Sequence, residues 1–230
     1  MKFLRVVVMI AAVAPGISWA LLDPTSSMNN LRGKAYCQFC DVRNVSLVGE
    51  DLRGKHLNQS AFDGADLSRA NLQGSTTKAD QESVKQSASF TQTNFTGANL
   101  KYVQFASSDF TGAKFDHADL ESATLAWSKC IGASFKGADL TRTDLSHANC
   151  TKAIFTGAVF TGTVAEGADF TGADFQGADL SKIGNWNRAN LRGANLRNAI
   201  LPADPEAMRW VSFYSTTMPN GRLMTSAPSK

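Results

Sequence analysis

The chain has 230 residues with 23 basic and 20 acidic side chains, a formal charge of +3 at pH 7. That length suits one or two domains. The near balance of sign excludes a net polyanion and gives no electrostatic case for nucleic-acid binding, which needs clustered Lys and Arg.

The first twenty residues, MKFLRVVVMIAAVAPGISWA, place Lys2 and Arg5 before an apolar run from Val6 to Ala14. Pro15 and Gly16 break that run, and Ser18 and Ala20 supply small residues at −3 and −1 of a cleavage site. The order predicts a secretory signal peptide over 1–20, cleaved after Ala20. The run is too short for a membrane span; an uncleaved anchor is the competing reading. Removing Lys2 and Arg5 from the +3 total leaves +1. The mature chain is expected in a bacterial periplasm or outside the cell, with no membrane span. In a bacterium the Asn-x-Ser/Thr triplets at Asn44, Asn58, Asn94 and Asn149 carry little meaning.

A lead-in over 21–36 precedes "YCQFCDV", which holds a CxxC at Cys37 and Cys40. With Cys130 and Cys150 the cysteine count is four, and an even number in an exported chain favours pairing without revealing it. A redox pair would need a thioredoxin-like βαβ context. A zinc site would need two further ligands at suitable spacing, and none lies nearby. A structural disulfide and a pair of buried thiols are the remaining readings.

From Val42 a large apolar residue recurs at every fifth position: Leu47, Leu52, Leu57, Phe62, Leu67 and Leu72. The same spacing runs from Phe90 to Leu180, where sixteen of nineteen positions are Phe or Leu. Calling this position i, a small residue such as Ala98, Ala113 or Ala138 stands at i−2, and Asp or Asn is common at i−1. Thr is common at i+1 and Gly at i+2. A period of five is neither helical nor a strand alternation. It needs a chain that turns once per repeat, with Gly supplying the positive φ of the turn. Such a chain winds into a solenoid whose coils bond to one another.

Three irregularities interrupt the pattern. The eighteen-residue gap from Leu72 to Phe90 predicts a loop or short helix over about 73–88. One extra residue between 181 and 186 shifts the register to Trp186, Leu191, Leu196 and Leu201. From 202 to 230 the pattern is lost. There Asp204 and Pro205 predict a short helix, Met208, Trp210, Val211, Phe213 and Tyr214 an apolar face, and "MPNG" a turn. The expected role is a cap on an apolar solenoid end, with a homodimer through the same face as the alternative.

These motifs resemble the A(D/N)LXX signature of the pentapeptide-repeat family over roughly 37–72 and 88–201. The resemblance implies an all-β, right-handed quadrilateral β-helix with four pentapeptides per coil. "CQFCDV" is similar to the CxxCDL segment that opens the coils of many exported members. A twenty-residue coil puts Phe95, Phe115, Phe135, Phe155 and Phe175 in one column and Phe90, Phe110, Cys130, Cys150 and Phe170 in another. It sets Lys101 over Glu121, Asp116 over Lys136, Asp109 over Lys129 and Trp127 beside His147. Cys130 and Cys150 then read as a disulfide or as buried thiols. Asp119 and Asp139 stack as a solvated pair, with a cation between them as the sharper reading.

His56, His117 and His147 share no column and no nucleophile, so no triad is expected. The i−1 positions Ile154, Val159 and Val164 break the polar skin and form a candidate partner-contact belt. The aspartates of "GADFTGADFQGADL", Asp169, Asp174 and Asp179, fall on successive faces and cannot converge on one metal. The function expected is a non-enzymatic exported scaffold without cofactor or metal, binding an unidentified protein. A topoisomerase-binding DNA mimic of the quinolone-resistance type and a redox protein using the CxxC are the alternatives.

Overall fold

Phe95, Phe115, Phe135, Phe155 and Phe175 lie one above another, with ring centroids 4.6–4.9 Å apart and interplanar angles of 4–13°. This ladder runs through a computed structural model that describes residues 31–33, 37, 40–57, 60–73, 75–77 and 88–225. The expected signal peptide, most of the lead-in, the centre of the expected loop and the last five residues lie outside the described residues.

The i−1 residue of each repeat forms a parallel bridge with the residue twenty positions on, as in Asn94↔Lys114, Asn99↔Asp119, Gln104↔Thr124 and Asp109↔Lys129. One coil is therefore four pentapeptides, and the fold is an all-β parallel helix. Each side contributes one bridge because a turn follows immediately. The Phe95 amide donates to Lys114 O at 2.6 Å in the next coil, and the Asp119 amide donates back to Ala98 O at 3.0 Å. Within the turn the Ala98 amide reaches Phe95 O at 2.9 Å, while the Gly97 amide reaches Asp116 O at 2.9 Å. The repeat thus satisfies its own backbone, as a buried chain must.

The i+2 position takes φ near +60° whether it is Gly137 (+60°) or a residue with a side chain such as Trp127 (+61°) or Lys152 (+58°). Glycine adopts that region freely, whereas other residues pay about 1 kcal/mol or more. The i and i−2 side chains point inward and are almost all buried. Polar residues occur at i−2 because they find an acceptor there. The hydroxyls of Thr93, Thr143 and Thr163 donate to the carbonyls of Phe62, Leu120 and Leu140 in the preceding coil, at 2.7–2.8 Å.

The insertion begins later than its sequence suggests. Ser75 and Thr77 are buried, and Thr76 bridges His56 on one side and Gln104 on the other. The repeat therefore continues through 77 with hydroxyl residues in its inward positions, and Ala88 and Ser89 rejoin it. Across the insertion the bridge interval lengthens to twenty-eight, as in Ala61↔Ser89.

The second irregularity is a bulge at Gly184. Its amide and that of Asn185 both point at Thr163 O, at 2.9 and 3.3 Å, and the bridge interval becomes twenty-one. A Cβ on Gly184 would stand 2.9 Å from Gly162 O, so glycine is required by close approach of backbone. Beyond the bulge Trp186 is buried in the column that held Ala165, and its indole N–H donates to Ala207 O at 2.6 Å.

The C-terminal segment does not leave the repeat as its sequence suggests. Ser212 bridges Asn190 and Thr217 bridges Asn195, so "VSFYS" and "TTMPN" continue the coil without its signature residues. Val211 and Phe213 take the inward positions and are buried, and Thr216 fills the next with its hydroxyl on Leu191 O at 2.5 Å. Before them lies a 3₁₀ turn at Pro205–Met208, in which Asp204 accepts the Glu206 amide. After them β1 (Thr216–Thr217) pairs antiparallel with β2 (Leu223–Met224) around Gly221, where φ is +80°. Met208 is partly buried against the core, whereas Trp210 is 62% exposed and does not belong to the inward face.

Candidate functional site

The chemistry-bearing residues occupy the cysteines, the side faces and the C-terminal end. Cys37 and Cys40 are buried and joined by a disulfide, with their Cα atoms 5.4 Å apart. They sit at i and i−2 of consecutive repeats: the Cys37 amide bonds to His56 O, and Cys40 O accepts the Ala61 amide. The Ser60 hydroxyl donates to Cys37 O and accepts the Cys40 amide. The bridge is thus set inside the first turn of the coil. Cys130 and Cys150 are buried free thiols. Hydrogen bonding with Cys130, and then burial, push the Cys150 thiol well above its ordinary range. That makes it a poor nucleophile, since the thiolate is the reactive form.

The i−1 carboxylates and amides work locally. Asp169 Oδ1 accepts the Thr171 amide at 3.0 Å and the Thr171 hydroxyl at 2.6 Å. Asp174 and Asp179 accept the amides of Gln176 and Ser181 in the same way, at 3.0 and 2.9 Å. Asn94, Asn99, Asp109, Asp139 and Asn149 repeat the contact with the residue two positions on. A short side-chain oxygen that reaches the second following amide stabilises a turn. Hydrogen bonds from the Ser181 hydroxyl and amide hold the Asp179 carboxyl below its ordinary range.

Stacked charges pair less simply than the columns suggest. Lys101 Nζ lies 2.8 Å from Glu121 and 2.9 Å from Asp119, and Arg142 also contacts Glu121. The lysine therefore neutralises Asp119 from the preceding coil, on the side away from Asp139. Lys129 stands 3.7 Å from Asp109. Asp116, expected to pair with Lys136, instead accepts the Ser134 hydroxyl at 2.5 Å and the Lys136 backbone amide at 3.2 Å.

Ile154, Val159 and Val164 occupy three different columns. Each lies between polar neighbours: Ser134 and Asp174, Asp139 and Asp179, Asp144 and Asn185. They diverge around the coil and do not form one contiguous patch. Trp127 and His147 stack at one corner, centroids 4.1 Å apart and planes at 19°. The His147 ring rests over Gly167, where a Cβ would come within 2.7 Å of Nδ1.

The C-terminal end differs from the rest in charge. Residues 88–180 hold six basic and ten acidic side chains, whereas 181–225 hold six basic and two acidic. Arg209 pairs with Glu206 and lies over Trp210. Arg192 lies over the Tyr214 ring, 5.2 Å from its centroid. Among the described residues Lys182, Arg188, Arg192, Arg197 and Arg222 make no ion pair. The whole-chain balance hides this segregation; a windowed count along the sequence reveals it. A shallow hollow of about 360 Å³ beside the terminal hairpin is lined by Met218, Pro219, Asn220, Arg222, Leu223 and Met224.

Several solved structures are similar to the chain. A solved pentapeptide-repeat protein, HetL, involved in heterocyst differentiation regulation in the cyanobacterium Nostoc sp. strain PCC 7120, is 25% identical. The match covers 82% of this chain and 91% of HetL, with a TM-score of 0.41. QnrB1, a plasmid-mediated fluoroquinolone resistance protein, is 24% identical over 78% of this chain and 94% of its own, with a TM-score of 0.33. A pentapeptide-repeat protein of the Arabidopsis thaliana thylakoid lumen is 30% identical over 54% of this chain and 67% of its own, with a TM-score of 0.26. No curated protein matches the chain. The family model for pentapeptide repeats matches in eight copies, over residues 35–75, 88–126, 125–162, 149–183 and 184–202. The match spans most of the coil described above, and the chain belongs to the pentapeptide-repeat family.

Proposed function

We propose that the chain is a non-enzymatic, exported scaffold that displays its side faces to a protein partner. The carrying observation is how the polar side chains are used. The i−1 carboxylates and amides are tied to their own turns, part of the side-face charge is paired between coils, and the thiols are bridged or buried. What remains is a set of regularly spaced polar ladders on a rod, a surface suited to recognition. The terminal hairpin pairs along β1, and the Trp186 indole bonds to Ala207 in the Pro205–Met208 turn, which supports reading the C-terminal segment as a cap. The coil is taken as right-handed, as the family resemblance implies. A DNA-mimicking surface would need acidic columns along the rod. Asp169, Asp174 and Asp179 instead follow Asn149, Ile154 and Val159 in theirs.

Site-directed photocrosslinking in the native cell, with one probe on each of the four sides, at Thr124, Lys129, Ser134 and Val159, tests the reading. A discrete protein adduct from one face and none from the others is expected. Absence of any adduct from every face would remove the scaffold reading.

A further inference from the structure

The charge that cancels over the whole chain is separated along the solenoid axis. Because coils stack in sequence order, the nearly neutral coils of 37–77 come first, the acidic stretch 88–180 forms the middle of the rod and the basic stretch 181–225 its end. The end also carries three of the most exposed apolar side chains, Trp210 at 62%, Leu223 at 58% and Ile200 at 56%, together with the exposed Tyr214.

Register shows how these residues are arranged. Arg192 and Tyr214 follow the bridge Asn190↔Ser212 on one side of the coil, and Arg197 follows Asn195↔Thr217 on the next. Leu223 belongs to the terminal hairpin, next to Arg222, and Trp210 precedes the last coil. Cations and apolar groups therefore alternate around the rim of the end and are not gathered on one flank. Arg192 over Tyr214 and Arg209 over Trp210 place guanidinium beside ring.

We propose that this end docks the rod on an anionic lipid bilayer. A flat, negatively charged surface meets every side of the rim at once. Unpaired arginines find phosphate there, and Trp and Tyr suit a boundary between apolar and wet surroundings. Attraction of this kind adds apolar burial to electrostatics without any segment crossing the membrane. A symmetric end-to-end contact between two copies is disfavoured by the same charges, since it sets six basic and two acidic residues against an identical set. The docking is independent of any protein bound to the sides.

The test is sedimentation of the chain, purified as the native cell accumulates it, with phosphatidylcholine vesicles containing or lacking phosphatidylglycerol. Binding is expected only to the anionic vesicles and is lost as salt rises. The triple variant Arg192→Glu, Arg197→Glu, Arg222→Glu should bind on the order of 100-fold more weakly, with circular dichroism and melting unchanged. The corresponding Gln variant, which keeps the side-chain bulk, should fall between. Trp210→Ser should weaken binding at low salt without altering its salt dependence. Equal binding to neutral vesicles, or charge-reversed and neutralised variants that bind like the parent, overturns the proposal. So does salt-sensitive self-association without vesicle binding, which would make the acidic body of a second copy the occupant.

Discussion

Asp169 carries a backbone task. Its Oδ1 holds the Thr171 amide and hydroxyl, and it also accepts the Asn190 side-chain amide at 3.2 Å. This explains why Asp and Asn alternate freely at i−1: the contact needs the oxygen and not the charge. Asp169→Ala is expected to destabilise by about 1 kcal/mol, whereas Asp169→Asn should be nearly neutral, as measured by urea unfolding. Gly184 shows the opposite dependence, on volume. With carbonyl oxygens 2.9 and 3.2 Å from the position of a Cβ, Gly184→Ala is expected to cost about 1–3 kcal/mol on the same assay.

At the scale of the coil, stability comes from the inward ladders. Phe135 stacks on Phe115 at 4.6 Å and on Phe155 at 4.9 Å and is fully buried. Burying such a side chain contributes roughly 2 kcal/mol before entropy is counted. A charge in that column has no partner to neutralise it, so Phe135→Asp is expected to abolish cooperative unfolding. A wild-type-like melt of that variant would refute the stacking of identical columns. The Cys130–Cys150 pair interrupts the column between Phe110 and Phe170, and Trp186 follows Ala165 in another, so neighbouring levels differ in bulk while the rod continues.

For the whole molecule, the exposed charges set its response to pH. Lys101 and Arg142 hold Glu121 below its ordinary value of 4.5, and turn hydrogen bonds do the same for Asp66 and Asp179, whose ordinary value is 3.8. A carboxyl whose folded value is depressed adds stability above its unfolded value and loses it as pH falls through the folded one. Lys101 is shifted the other way, upward, by Asp119 and then Glu121. Its contribution is complete below its ordinary 10.5 and is lost as pH rises through the raised value. The melting temperature is therefore expected to be level across neutral pH and to fall below about pH 4. In Glu121→Gln the acid-side fall should be shallower, because one depressed carboxyl is gone.

The five-residue spacing of Phe and Leu was enough to reveal the solenoid, and the like-with-like columns fitted a coil of twenty residues. Local chemistry repeated in register leaves a periodic trace in the chain. Thr77 and Phe213 left no such trace. They occupy inward positions without Ala at i−2 or Asp/Asn at i−1, and only the neighbouring coil shows that they belong to the repeat. Asp116 likewise finds the Ser134 hydroxyl and a backbone amide in place of the Lys136 ammonium, because the closer donors win. The sequence by itself determined the period, the core and the order of the coils, since each depends on contacts between residues a fixed distance apart. Only the tertiary structure decided where the repeat ends, which charges pair, and that the arginines and exposed aromatics encircle one end. Those outcomes depend on which coil lies last and what faces it, and composition averages that away.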